Sequence, residues 1–414
     1  MIARNLLLTI VACTLLIASL KAHTYYVDAI TGSDNNAGIV PTLPWQNLSK
    51  VNSSIFLPGD SICFRRGGVW TGQLTITYSG LPGKPITFIG YGSGNSPVIQ
   101  NPDVEMGSAI AIRASWIVVE GFLVRNTHGA GISIQPGADH NVVTLNEATQ
   151  TGMGVEVRGR FNLITGNYAH DLTMIVNTQG GDDDYGAVGI WLFASNNEVS
   201  YNRMLNCRAP SYDYGFDGGM VEFYGDVDSC YVHHNWGKNC NGAFEVGGKG
   251  QTLTDISIAY NISINNIVSG GFHLGGLFGV TMERFRVENN VFVDMNNHEY
   301  TIGLWHGVPG SDGIQYRNNI FYIPNHKKAI NQAGIVHEHN LYYLGGASGI
   351  GIPLGAGELV ADPMFVDVKN DDLRLKSGSP AIDAGTRLKH TKDYAGYAVP
   401  SGNAPDIGAF EYHQ

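Results

Sequence analysis

The sequence predicts an all-β chain wound as a right-handed parallel β-helix with a cap at each end. Three observations carry this. A short motif of glycine, apolar, variable and apolar residues returns about every 20 to 35 residues. It reads Gly131-Ile-Ser-Ile, Gly154-Val-Glu-Val, Gly189-Ile-Trp-Leu, Met220-Val-Glu-Phe, Ala243-Phe-Glu-Val, Gly271-Phe-His-Leu and Gly303-Leu-Trp-His. An asparagine follows roughly 8 to 16 residues later, giving Asn146, Asn167, Asn202, Asn235, Asn261, Asn290, Asn319 and Asn340. Glycine is abundant (54 of 414 residues) and charge is sparse (15%), which suits many short strands joined by tight turns. A short alternating strand cannot bury its apolar face alone, but stacked on its neighbours it can.

Taken in chain order, residues 1–22 read as a secretory signal. Arg4 supplies the charged start, Leu6 to Leu20 the apolar stretch, and Ala22 the small residue before a strand-like start at His23. The apolar run is short for a membrane span. Ile10-Val11-Ala12-Cys13 resembles a lipoprotein box, but the apolar run continues past Cys13. The expectation is an exported bacterial protein, secreted or periplasmic, with cleavage after Ala22 preferred over lipidation.

Residues 23–110 are expected to form an N-terminal cap and the first coils. A strand, a polar turn and a short amphipathic helix would cover an open parallel edge that otherwise invites aggregation. Residues 111–350 are the coils, and residues 351–414 the C-terminal cap. Two insertions, at 173–185 and 207–217, precede the Trp191 and Glu222 strands and are expected to wall one side of the coil. The asparagines are assigned to a tight turn, where Asn tolerates left-handed backbone and its amide can bond to the Asn of the next coil.

Cys207 and Cys240 each lie five residues after a repeat asparagine. Stacked coils are about 4.8 Å apart, within reach of a disulfide. A bond permitted by export and a pair of buried thiols are both compatible with this spacing. No cysteine pattern has zinc spacing.

The variable residue of each motif points outward, so the motifs define a column: Ser133, Glu156, Trp191, Glu222, Glu245, His273 and Trp305. Glu222 and Glu245 fall on consecutive coils, about 4.8 Å apart at Cα. Such a pair repels and splits its pKa values unless a proton or cation lies between. One use is a general acid paired with a second carboxylate, as in glycoside hydrolysis. A Ca²⁺ site formed by Glu222, Glu245 and Asp217 is another, and a solvated acidic surface a third. His273 continues the column as a candidate acid or base. Trp191 and Trp305 are candidate sugar-stacking faces, Glu156 a subsite residue, and Lys249, at the rim, a candidate base. Asp217, Asp226 and Asp228 flank the Glu222 strand, and Asp182 to Asp184 lie in the longer insertion.

The net charge of −11, with no Lys/Arg run, argues against nucleic acid and anionic membranes as partners. Gly247-Gly248-Lys249 lacks the strand-to-helix context of a phosphate loop.

The mature chain resembles the pectate-lyase-like superfold, in which the cleft lies over one sheet of the coil. Asn239-Cys-Asn-Gly-Ala-Phe-Glu-Val-Gly-Gly-Lys249 is similar to the alginate and chondroitin lyase stretch that supplies a calcium-binding Glu and a basic Lys. That resemblance implies calcium at Glu245 and proton abstraction by Lys249. Gly270-Gly-Phe-His-Leu-Gly-Gly276 resembles a rung of a second pectate lyase family that carries Lys where this chain has His273. Only Asp217 and Glu245 match that family's aspartate cluster.

The expected function is therefore cleavage of a polysaccharide or oligosaccharide by a monomeric, cofactor-free glycoside hydrolase using Glu222, Glu245 and His273. The alternatives are a Ca²⁺-dependent lyase with Lys249 or His273 as base, and a non-catalytic glycan-binding protein. Fold alone does not choose among them.

Overall fold

A computed structural model describes residues 21–102, 104–248, 250–266, 272–275, 280–297, 302–305, 313–330, 335–345 and 349–413. The signal segment expected at residues 1–22 lies almost wholly outside them, as does Lys249. The described residues form a right-handed parallel β-helix, the hand expected of crossovers between parallel strands. No helix among them is long and apolar enough to cross a membrane.

Each full coil contributes a strand to three parallel sheets. The first sheet has twelve strands, from Thr24–Val27 to Val336–Glu338. The second holds the strands that follow each repeat asparagine, including Arg203–Leu205, Trp236–Lys238 and Ile262–Ile264. The third holds the motif strands Val188–Leu192, Gly219–Tyr224, Phe244–Gly247, Phe272–Gly275 and Ile302–Trp305. Two long strands, Leu123–Ile134 and Glu147–Val157, turn the corner and serve both the second and third sheets.

Motif side chains flanking the variable position point inward and stack, as in Val155, Ile190, Val221 and Phe244. The leading glycines meet a spatial demand. A Cβ at Gly154 would lie 2.4 Å from the Gly189 carbonyl oxygen, and one at Gly189 would lie 2.7 Å from that of Met220. Met220 itself is accommodated because its side chain fills the space beside Gly237.

The corner between the first and second sheets is an asparagine ladder. Each backbone N–H donates to the side-chain oxygen of the next coil's asparagine, as from Asn202 to Asn235 and from Asn235 to Asn261, both at 2.9 Å. The side-chain amide donates forward to that same oxygen and back to a carbonyl of the preceding coil, as from Asn235 to Asn261 and to Val199. The ladder runs from Asn146 to Asn340 and ends on Glu358, which accepts from Asn340 and from the Tyr342 hydroxyl. The left-handed residue is the one before each asparagine, not the asparagine itself. Leu145, Tyr201, His234 and Tyr260 all have φ between 52° and 55°. The asparagines are thus selected for hydrogen bonding rather than for backbone tolerance.

At the N-terminus, Thr24–Val27 joins the first sheet, and the helix Leu48–Ser53 buries Leu48 and Val51. Trp45 stacks on Tyr25 at 4.9 Å. The C-terminal segment runs back along the outside of the second sheet. Phe365, Leu373, Ile407 and Ala409 pack on Ile262, Val291, Ile320 and Leu341, and Lys238 pairs with Asp371 at 2.7 Å. Its cover reaches back along the second sheet to Ile262. Cys207 and Cys240 are buried free thiols. Burial, then the neighbouring Cys240, pushes the Cys207 thiol up.

Asn235→Ala removes donors and an acceptor from the middle of the ladder and leaves the Asn202 N–H without its partner. A loss of about 3 kcal/mol is expected, seen as a lower urea midpoint and Tm. Replacement of an exposed asparagine such as Asn370, outside the ladder, should change neither.

Candidate active site

On the third sheet the pairing register brings Ser133, Glu156, Trp191, Glu222, Glu245 and His273 side by side on successive coils. Trp305 departs from the expected column. Gly303 is the residue in register with His273, and Trp305 pairs with Gly275, two residues further along. A shift of two residues preserves the face, so the period-2 pattern reads equally well either way.

Glu222 and Glu245 are both half-buried. Burial first, then the charges of Glu245 and Asp217, hold the Glu222 carboxyl well above its ordinary range. Asp217 reaches this position on the second strand of a hairpin formed by Ala209–Ser211 and Gly215–Asp217. Its own carboxylate accepts from the Gly218 N–H at 2.7 Å. Glu156, one coil before Trp191, is fully engaged. It accepts from Ser133 Oγ at 2.6 Å and pairs with Arg158 at 2.6 Å.

The two insertions form antiparallel hairpins that grip each other. Ser211 Oγ donates to Asp184 at 2.7 Å, Tyr214 Oη donates to Asp182 at 2.8 Å, and Asn177 Nδ2 donates to the Pro210 carbonyl at 3.1 Å. Asp183, Asp184 and Asp213 each bring a carboxylate oxygen within 4.8 Å of the others. Asp217, Glu222 and Glu245 are not such a group among the described residues. Asp226 accepts from the Thr252 N–H, and Asp228 lies in a small separate sheet.

The insertions land on Trp191. It is 6% exposed and packs with Ile175, Val188 and Met153. Tyr185 and Tyr224 meet it edge-on at 5.7 Å, and Phe193 lies at 4.8 Å. Its faces are covered, so the expected stacking platform is instead a packing residue. Its indole N–H is buried without an acceptor.

Sequence reasoning missed a second column on the same face, two residues beyond the first. It holds Arg158 stacked on Phe193, Phe193 beside Tyr224, and Tyr224 in register with Gly247. The signal was present as the second residue after each variable position.

No family model matches the chain. Over 88 residues it is 36% identical to a lacto-N-biosidase of Bifidobacterium longum subsp. longum, which is 20% of this chain and 6% of that protein's length. Pectate lyase Pel9A superposes with a TM-score of 0.68 at 16% identity, over 94% of this chain and 96% of that one. A rhamnogalacturonan lyase gives 0.56 at 14% identity, over 84% and 92%. XylC, solved with xylose, gives 0.53 at 11% identity, over 94% and 98%. The fold is that of the pectate-lyase-like parallel β-helices.

If Trp191 is packing rather than platform, Trp191→Ala should cost about 3 kcal/mol of stability. Trp191→Phe should recover most of it. A loss confined to substrate affinity, with the Tm unchanged, would restore the platform role.

Proposed function

We propose that this protein is an exported carbohydrate-active enzyme that hydrolyses glycosidic bonds, with Glu222 as general acid and Glu245 as the paired carboxylate. The observation that carries the reading is their in-register placement on adjacent coils, with the hairpin residue Asp217 adding charge beside Glu222. A carboxyl whose pKa is pushed up beside a second carboxylate is the division of labour that glycoside hydrolysis needs. The fold relatives named for pectate and rhamnogalacturonan, the xylose complex and the short similarity to lacto-N-biosidase support a carbohydrate substrate. Export is supported by the leader-like residues 1–22.

In this mechanism Glu222 gives its proton to the glycosidic oxygen as the bond to the anomeric carbon breaks. Glu245 faces the positive charge developing on the sugar. It either attacks that carbon or takes a proton from the water that does. His273, whose strand is in register with that of Glu245, is assigned to assist proton transfer.

Glu222→Gln and Glu245→Gln should each lower turnover at least about 10²-fold, read as reducing ends released from a polysaccharide panel, with circular dichroism unchanged. Lys249→Ala should be mild. A product with ultraviolet absorbance, lost in chelator and with Lys249→Ala, would replace hydrolysis with elimination and make Lys249 or His273 the base. Glycan binding without either product would leave a binding protein.

The raised Glu222 pKa also predicts a pH-dependent stability. The unfolded chain ionises near the ordinary value of 4.5, while the folded one holds its proton to higher pH. Folding is therefore penalised as pH rises above that value, and not below it, where both states are protonated. Glu222→Gln should melt higher than wild type at about pH 7, and the gap should close below about pH 4. A gap that stays constant in a pH series of melting curves would show that Glu222 ionises normally.

A further inference from the structure

We propose that His233 and His234 form an acid-sensitive latch, which holds a loop of the C-terminal segment against the coil at neutral pH and frees it on acidification. The left-handed residues that precede the ladder asparagines also form the rail on which this segment docks. Asn318 Nδ2 donates to the Thr386 carbonyl at 2.8 Å, and Asn289 Nδ2 to the carbonyls of Asp406 and Gly408 at 3.3 and 3.2 Å. His234, at φ 55°, holds the same place on an earlier coil, and its Nε2 lies 2.9 Å from the Asp393 carbonyl oxygen. Asp393 belongs to a small loop closed by the Val399 N–H on the Thr391 carbonyl at 3.1 Å. One coil before His234, the equivalent Tyr201 is 54% exposed, so the rail's cover ends near the histidine.

The contacts of the pair limit how many protons it can carry. His233 and His234 are 8% and 6% exposed, and their Nδ1 atoms lie 2.8 Å apart. A carbonyl oxygen only accepts, so His234 Nε2 carries a proton. A single proton lies between the Nδ1 atoms, because two would meet head-on. His233 Nε2 lies 3.2 Å from Glu198 Oε1, where one more can sit. The docked pair therefore has room for three ring protons, whereas two free imidazolium rings carry four. Opening takes up at least one proton. Burial works in the same direction. It is the first cause that pushes His233 down to about 3, followed by the charges of His234 and His390. Burial also lowers His234, against the pull of Asp393. Docking strength from the pair is thus full above the ordinary histidine value of 6.5 and is lost as pH falls toward 3.

The neighbouring groups are otherwise engaged. Tyr231 stacks on His233 at 3.9 Å, and Tyr201, Tyr260 and Tyr394 pack on His234 at 4.8, 5.4 and 6.2 Å. His390 pairs with Glu288 at 2.8 Å, and Arg317 lies 4.0 Å from the same carboxylate. The Asp393 carboxylate is turned into its own segment, where it accepts from the N–H groups of Ala395, Tyr397 and Glu411. Two carboxyls of the segment act with the opposite sign. Burial pushes Glu411 up to about 7 and raises Asp406 as well, so their contribution to docking weakens as pH rises. Comparison of variants at the histidines cancels that contribution, since both carboxyls are common to each protein.

The test is hydrogen exchange read by mass spectrometry on the full chain from about pH 7.5 to about pH 5, corrected for the intrinsic pH dependence of exchange. It compares peptides over residues 388–399 with peptides from the coils at 111–165. His234→Gln keeps a donor for the Asp393 carbonyl but cannot take a proton, and His233→Gln removes the other titrating ring. The protection of 388–399 in wild type, divided by that in either variant, should fall about tenfold per pH unit below about 6.5, while the coil peptides stay protected. A ratio that is flat with pH for both variants overturns the latch. Loss of protection that spreads equally into the coil peptides also overturns it, since that marks global acid unfolding. Nitrogen NMR of labelled histidines in wild type gives a measure that needs no variant. Both rings charging fully at about pH 6, with 388–399 still protected, would overturn the proton count.

Discussion

One hydrogen bond, repeated coil after coil, sets the geometry of this protein: a backbone N–H donating to the side-chain oxygen of the next coil's asparagine. Every link from Asn146 to Asn340 is 2.8 to 3.0 Å long. The side-chain amide spans backward as well as forward, so each asparagine joins three coils. Because these groups are buried, leaving one unmade costs far more than making it gains. That asymmetry removes freedom to slip by a residue, and it explains why insertions are confined to the far side of the coil. Left-handed backbone at residues such as Leu145 and Tyr201 costs about 1–2 kcal/mol each. The ladder offsets that cost.

A register held this firmly turns sequence spacing into distance. Glu222 and Glu245 are held in register on adjacent coils, and burial together with the charge of Glu245 pushes the Glu222 carboxyl above its ordinary range. Asp217 adds to the same field from the hairpin.

What surrounds the column follows from what covers each sheet. The C-terminal segment lies over the outside of the second sheet, so that face is closed. On the third sheet the two hairpins clip to one another through Asp184, Ser211 and Tyr214 and bury Trp191. Exposure begins again at Tyr224, just past their cover, where Gly247 removes the next side chain.

The repeat, the asparagine ladder and the column from Ser133 to His273 were all legible in the sequence. Each rests on a local period that stacking preserves from coil to coil. Tertiary structure decided the rest. Gly303 rather than Trp305 follows His273, because a two-residue offset keeps the same face and only interstrand pairing selects between the two. Trp191 is buried, because its neighbours come from hairpins whose docking no period encodes. The residue before each asparagine takes the left-handed turn, because the asparagine's own conformation is fixed by its three-coil hydrogen bonds. Sequence period thus determined which residues share a face, and long-range packing determined which of them meet solvent, since exposure depends on segments distant along the chain.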